Sequence, residues 1–289
     1  MSVDVRSFLQ LVRAPAGLTV VGDATSGMAA AGRTGLVPRL GLPAASVLLY
    51  WGGMALNDAA DADLDRVERP ERPIPSGRIT RRGAVGVAGA LTVAGLAVAW
   101  LTGGRSSLAV AVPLAASVWT YDLVAKRGWT GPLVMGACRG LDVLLGAGRD
   151  GAAAAARPAL VMAGHTASVT ALSRGEVHGA RSATAVAASA VTLVAGAAAV
   201  RPERSLAGLV SIAAALRFLV PTLRAQVAAA NDPTAPTVRA ATRRGILAMV
   251  PLQAALTARA GRPADAAILL AVDALGAVLG RRSRSREIT

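Results

Sequence analysis

Cysteine, histidine and aromatic side chains are nearly missing from this sequence. Its 289 residues hold one Cys and two His. A lone Cys138 excludes a disulfide framework and a Cys-based metal centre, and two His exclude a His-rich one. Phe, Trp and Tyr make up 3% of the chain, so platforms for stacking bases are scarce. Acids are few as well: 17 Asp and Glu face 31 Lys and Arg, for a formal net charge of +14. That excess alone suggests nucleic acid, but the basic residues lie between apolar segments rather than in one patch. No nucleic-acid partner is expected. No Ser/Gly linker and no long polar region interrupts the chain, so residues 1–289 read as a single domain.

What the chain has in quantity is apolar sequence. Hydrophobic residues make up 53% and the mean hydropathy is +0.49, too apolar for a soluble protein of this size. Apolar segments fall near 14–32, 40–57, 84–102, 107–121, 131–148, 157–172, 183–200, 205–222, 245–258 and 264–280. Several are short or Gly-rich, so about nine membrane spans are expected. The expected class is all-α, a polytopic helical bundle. Lys and Arg crowd alternate connections: Arg66, Arg69, Arg72, Arg78, Arg81 and Arg82, then Lys126 and Arg127, then Arg174 and Arg181, then Arg224, Arg239, Arg243 and Arg244. The positive-inside rule puts these in the cytoplasm, and an inner (plasma) membrane location with membrane lipids as neighbours follows. The other side is thinner but holds Arg33, Arg39, Arg105, Arg149 and Arg157. Residues 1–17 carry an acid and a Pro, and no cleaved signal peptide is expected there. Arg281-Arg282-Ser283-Arg284 reads as a topogenic or lipid-headgroup cluster.

One stretch concentrates the scarce acids. Asn57-Asp58-Ala59-Ala60-Asp61-Ala62-Asp63-Leu64-Asp65 ends an apolar segment. On a helix, Asn57, Asp61 and Asp65 share one face. Oxygen donors gathered so closely repel unless a cation sits among them, and hard divalent ions such as Mg2+ take such ligands and hold phosphates. The bland alternative is a solvated acidic helix end. The next residues, Arg66 to Thr80, supply guanidiniums, while Pro70, Pro73 and Pro75 stiffen the loop and Gly77 permits a turn. Carboxylates, a divalent metal and arginines make a diphosphate clamp, which favours a transition state in which diphosphate is leaving.

Asn57, Asp58, Asp61 and Asp65, followed by Arg72, Pro73, Ser76, Gly77 and Arg78, resemble the first aspartate-rich motif of the UbiA superfamily of intramembrane prenyltransferases. Tyr121-Asp122-Leu123-Val124-Ala125-Lys126-Arg127, with four residues between Tyr121 and Lys126, resembles that family's Y-x-x-x-K-R loop at one residue's greater spacing, and Leu11 to Gly17, with Arg13, resembles its opening segment. The resemblance implies a UbiA-like bundle with a central cavity open laterally to lipid. It also implies an isoprenyl diphosphate donor, Mg2+, and a small acceptor of undefined identity. By the same resemblance Asp58, Asp61 and Asp65 are metal ligands assisted by Asn57. Arg13, Arg72, Arg78, Lys126 and Arg127 face the substrate, and Asp61, Asp65, Tyr121 and Lys126 carry catalysis, with Tyr121 beside the reacting carbon or a phosphate.

The second motif departs from that pattern. The family usually has a further acid pair after the sixth span, but here Ser173 to Ser182 contains one acid, Glu176. Glu176 is then the remaining candidate ligand, with Arg174, His178 and Arg181 as sources of positive charge. Leu-Ser-Arg-Gly-Glu, together with Cys138 to Gly146, is similar to an EboC-like subgroup. Within the apolar segments, Arg139 and Asp142 are either a structural ion pair or acceptor contacts on the cavity wall, and Asp23 is either a hydrogen-bonded packing residue or an acceptor-binding or proton-accepting one. His165 is expected to be structural. Arg217 is expected to snorkel or line the cavity, Asp273 to pair with a neighbour, and Asn231-Asp232 to form a turn. Two further functions compete: a terpene cyclase of the same family, disfavoured because cations prefer aromatic walls, and a non-catalytic lipid or isoprenoid carrier.

Overall fold

Where backbone groups meet no water, long runs of Ala, Val and Leu satisfy them internally as helix. The computed structural model describes residues 4–286 and the side chains of residues 4–276. The basic cluster Arg281 to Arg284 therefore lies outside the described residues in its side chains. The first helices are α1 (Val5–Leu11), α2 (Leu18–Ala30), α3 (Leu36–Ala60), α4 (Ala62–Glu68), α5 (Arg81–Thr120) and α6 (Gly131–Ala147). They are followed by α7 (Ala156–Ser173), α8 (Ser182–Ala199), α9 (Leu206–Asn231), α10 (Ala235–Leu247), α11 (Met249–Arg259) and α12 (Pro263–Arg286). No strand occurs among the described residues, in agreement with the all-α expectation. Two long helices begin on side-chain caps. The Thr80 hydroxyl accepts from the Gly83 N–H at 3.0 Å for α5, and the Ser205 hydroxyl accepts from the Gly208 N–H at 3.2 Å for α9.

Three of these helical stretches are long and apolar enough to cross a membrane: Arg81–Ala125, Ser182–Ala199 and Leu206–Asn231. The protein is an integral membrane protein. The expectation of about nine spans rests on shorter helices as well. Apolar segment 245–258 is divided at Ala248 between α10 and α11, and α6 carries Arg139 and Asp142 in its middle. The two segments 84–102 and 107–121 form two helices that meet at a kink within α5, at Gly104 with φ 68° and ψ −166°. That backbone conformation suits Gly and strains other residues. Arg33 explains its own place on the sparsely charged side. Its guanidinium donates to the Gly103 carbonyl beside the break at 3.2 Å, to the Ser107 hydroxyl at 2.8 Å and to the Gly146 carbonyl at 3.2 Å.

The chain divides into two compact units, residues 1–159 and 160–289. In the first, α3 packs along α5, α2 on α6, and α5 on α6. Leu42, Leu49, Leu114 and Leu145 fill one core, and Leu11, Leu56 and Ile79 another. The α2–α6 contact is set by glycine. A Cβ on Gly146 would lie 1.9 Å from the Ala24 carbonyl oxygen, and one on Gly27 would lie 1.8 Å from that of Val143. Small residues allow such close backbone approach in membrane bundles. Gly146→Ala is expected to force the two helices apart and lower stability by about 1–3 kcal/mol. A fall in the thermal unfolding midpoint of the detergent-solubilised protein checks this.

In the second unit, α9 packs against α8, α10 and α11, and α11 against α12. Leu172, Ala185, Ala188, Ala229, Val238 and Ala241 make its core. His165 is fully buried, with Nε2 at 3.0 Å from the Gly245 carbonyl and its ring edge-on to Phe218 at 5.0 Å. It is structural, as expected. Asp273 finds its neighbour in Arg217, which donates two hydrogen bonds to Oδ2 at 3.0 and 2.8 Å. Asp232 terminates α9 and accepts from the Thr234 hydroxyl at 3.2 Å, consistent with a turn.

Candidate functional site

The acidic stretch folds as its spacing requires. Between α3 and α4 the helix breaks at Asp61, yet the i to i−4 ladder runs through the break. The Asp61 N–H bonds the Asn57 carbonyl at 2.9 Å, and the Asp65 N–H bonds the Asp61 carbonyl at 2.8 Å. Asn57, Asp61 and Asp65 therefore stay on one face, with Asp58 beside them. That face points inward: Asp58 and Asp65 are 3% and 1% exposed. The Asp63 side chain, outside the repeat, is 72% exposed and pairs with the exposed Arg66 at 3.1 Å and Arg81 at 3.6 Å.

Every inward carboxylate meets basic side chains, and Arg72 serves two of them. Arg13 Nη2 lies 2.7 Å from Asp58. Arg72 Nη1 lies 2.6 Å from Asp65 and 3.4 Å from Asp58, with Arg69 at 3.5 Å from Asp65. Lys126 Nζ lies 2.7 Å from Asp61, and Arg127 lies 3.9 Å from it. Three separate segments supply these cations. Arg13 sits at the end of α1 with φ 48°, in a left-handed conformation uncommon for a side-chain-bearing residue. Arg72 comes from the proline-stiffened loop, which Ile79 N–H ties back to the Pro73 carbonyl at 3.0 Å. Lys126 follows a π turn over Tyr121–Ala125, closed by its own N–H on the Tyr121 carbonyl five residues back at 2.9 Å. Such turns occur often at functional positions.

Sequence reasoning passed over Asp122. This residue of the π turn is 5% exposed and accepts a hydrogen bond from Asn57 Nδ2 at 2.8 Å. A pocket of ≈ 200 Å³ beside it is lined by Ala60, Arg81, Asp122, Lys126 and Arg127, among others. The available signal was an acid four residues before Lys126, on the same helical face.

The other expected residues are placed as follows. Tyr121 opens the π turn and is half-buried. Arg78 is turned away from the carboxylates. It donates to Gln10 Oε1 at 2.5 Å and to the Glu71 carbonyl at 2.6 Å, fastening α1 to the loop. Asp23, Arg139 and Asp142 meet in a buried cluster of α2, α3 and α6. Arg139 pairs with Asp23 at 2.8 Å and with the Thr19 carbonyl at 3.0 Å, while Asp142 accepts from the Ser46 hydroxyl at 2.6 Å. The cluster is thus cross-helix, with Arg139 of α6 joined to Asp23 of α2. Ser46 precedes Asn57 by eleven residues on α3, about 16 Å along the helix axis. In the second unit, Arg174, Glu176, His178 and Arg181 lie on the connection between α7 and α8, with Arg174, His178 and Arg181 exposed. The Glu176 carbonyl accepts from Arg239 at 2.7 Å.

No group of three or more His, Cys, Asp and Glu side chains is gathered tightly enough to hold a metal among the described residues. The ion pairs explain this, because each carboxylate leans toward a cation of the protein. The donor set still fits a hard divalent ion. It is all oxygen, it is buried, and the cations now facing it can re-pair with an anion.

An all-helical membrane protein with such an acid and base constellation at one helix end belongs to a recognisable class. The model of the UbiA prenyltransferase family matches residues 19–173, and the chain belongs to that family. Among curated relatives, it is 38% identical over 126 residues to the digeranylgeranylglyceryl phosphate synthase of Methanoculleus marisnigri, covering 43% of this chain and 44% of that one. It is 35% identical over 113 residues to the bacteriochlorophyll synthase 33 kDa chain of Cereibacter sphaeroides, covering 37% of each. The matched part thus spans less than half the length of these relatives. A solved UbiA homolog from Archaeoglobus fulgidus, bound to DMAPP and Mg2+, shares the fold with a TM-score of 0.62 at 12% identity, over 86% of this chain and 99% of that one.

Proposed function

We propose that the protein transfers a prenyl group from an isoprenyl diphosphate to a small acceptor, releasing diphosphate, in a reaction that needs Mg2+. The observation that carries this reading is the pairing of the inward carboxylates with cations from three segments: Asp58 with Arg13 and Arg72, Asp61 with Lys126, and Asp65 with Arg72. An allylic diphosphate ionises when negative charge growing on the leaving group is stabilised more than in the ground state. Arg72 presents a planar fork suited to phosphate oxygens, and Lys126 a compact charge. Asn57, Asp58, Asp61 and Asp65 would hold Mg2+, which when bound neutralises the phosphate oxygens. As diphosphate enters, Arg13, Arg72, Lys126 and Arg127 exchange carboxylate for phosphate oxygens, so the carboxylates become available to the metal. The released allylic carbon, bordered by Tyr121, is attacked by the acceptor.

Similarity supports this reading. Relatives carry names of prenyl-transferring synthases, and a solved homolog is described as bound to DMAPP and Mg2+. From the turn after α7 we assign Glu176 as a further oxygen donor and Arg174 and Arg181 as phosphate contacts. Asp23, Arg139 and Asp142 are proposed as acceptor contacts because ionisable residues at membrane depth are rare and tend to mark substrate paths; their pairing with one another and with Ser46 would have to open for an acceptor to bind. Arg78 positions the loop. Residues 1–289 then work as one domain of the inner membrane, with the acidic and basic loops in the cytoplasm. The scarcity of aromatics, 3% of the chain, disfavours cyclisation of the donor, since π faces stabilise carbocations.

Purified protein given geranyl, farnesyl and geranylgeranyl diphosphates tests the reading. Diphosphate release is expected with at least one donor, dependent on Mg2+. No release with any donor favours the carrier, and release with a hydrocarbon product favours the cyclase.

A further inference from the structure

We infer that Asp122 is a positioning residue for Asn57, fixing which end of the Asn57 amide faces the acidic motif. This rests on the proposed metal-dependent function. The Asn57 amide has two unlike ends, an N–H2 that only donates and an oxygen that only accepts. Only the oxygen can serve a cation. Asp122 settles the orientation. Its carboxylate is acceptor-only, is buried, and takes the Asn57 Nδ2 hydrogen at 2.8 Å. Asn57 Oδ1 is thereby turned to the other edge of the amide.

The surroundings favour this role over a bland packing one. Asp122 is carried by the π turn that also carries Lys126, and both line the pocket beside Ala60 at the end of α3. Asp122 is buried and already engaged by Asn57, and Lys126 follows four residues on along the same turn. Groups that orient a metal ligand typically affect metal affinity by 10- to 100-fold. A second effect follows: the Asn57–Asp122 bond links α3 to the π turn, so Asn57 and Lys126 keep a fixed relation.

The experiment measures Mn2+ binding by electron paramagnetic resonance of the free ion. It uses full-length protein with inorganic diphosphate present, in the unaltered form and as Asp122→Asn, Asp122→Ala, Asn57→Ala and the Asp122→Ala/Asn57→Ala double variant. Asp122→Ala is expected to weaken Mn2+ by about 10- to 100-fold. Asp122→Asn keeps an acceptor oxygen and is expected to hold most of the affinity. In the Asn57→Ala background, removing Asp122 is expected to add nearly nothing, because the residue it orients is gone. Should Asp122→Ala not fold, Asp122→Ser makes the same comparison. Asp122→Asn failing as badly as Asp122→Ala, or fully additive losses, overturns the inference and leaves the proposed function standing. Absence of Mn2+ binding to the unaltered protein overturns the metal reading of the site, and this inference with it.

Discussion

Replacing Asp61 by Ala is expected to lower Mg2+-dependent diphosphate release by about 10³-fold, a loss of the size seen when a charge-stabilising group is removed from a reacting site. Asp61 is the middle member of the inward face, between Asn57 and Asp65 on the continuous backbone ladder. Its carboxylate also holds Lys126 at 2.7 Å, on a side chain only 12% exposed. Removing it takes away one oxygen donor and leaves a buried ammonium without its partner. Asp61→Asn keeps the shape and loses the charge, so it is expected to be nearly as inactive. Asp63→Ala is the contrast. That side chain faces solvent and meets only exposed arginines; its removal is expected to change activity by no more than about twofold, as for ordinary surface positions. Equal loss in Asp61→Ala and Asp63→Ala would show that the net charge of the loop matters and the inward face does not.

Arg72→Gln is expected to reduce kcat/KM for the prenyl diphosphate by about 10²-fold and to destabilise the fold at the same time. Arg72 serves two carboxylates, Asp65 at 2.6 Å and Asp58 at 3.4 Å. Breaking a buried pair by removing one partner costs about 3–5 kcal/mol, and Arg69 at 3.5 Å from Asp65 offsets part of that. The stability half is isolated in the double variant Arg72→Gln/Asp65→Asn. Stability is expected to recover, because no uncompensated carboxylate remains, whereas activity stays low, because both the phosphate fork and a proposed metal ligand are missing. Arg72→Lys keeps the charge without the fork and is expected to rescue stability better than kcat/KM. Thermal unfolding and steady-state kinetics on the same preparations check both halves.

Much of the site was legible because helix periodicity and charge leave few arrangements. A repeat of four residues at the end of an apolar run predicts one acidic face, and the burial of Asp58 and Asp65, with Asp61 half-buried, opposite an exposed Asp63 follows from it. The family resemblance rested on the same residues and on Tyr121, Lys126 and Arg127, all within the matched part of the chain. The partners of the carboxylates were not legible. Arg13 reaches Asp58 from a left-handed backbone conformation that no composition signals, and Arg78, close in sequence to Arg72, is spent on Gln10 and Glu71. Asp122 was overlooked because its role depends on a π turn, and the sequence does not announce the extra residue that such a turn inserts. Counting spans was hampered in the same way. The two runs on either side of Gly104 are separate helices meeting at a kink, as the sequence suggests, but the segment near 245–258 divides at Ala248.

Crystals of the protein grown with Mn2+ and a non-hydrolysable farnesyl thiodiphosphate offer the most direct test, through anomalous scattering from manganese. The account predicts a manganese peak within coordination distance of Asp58, Asp61 and Asp65, with Arg72 and Lys126 swung from those carboxylates onto the diphosphate. A bound diphosphate with the Arg13–Asp58, Arg72–Asp65 and Lys126–Asp61 pairs intact, and manganese elsewhere, would contradict it.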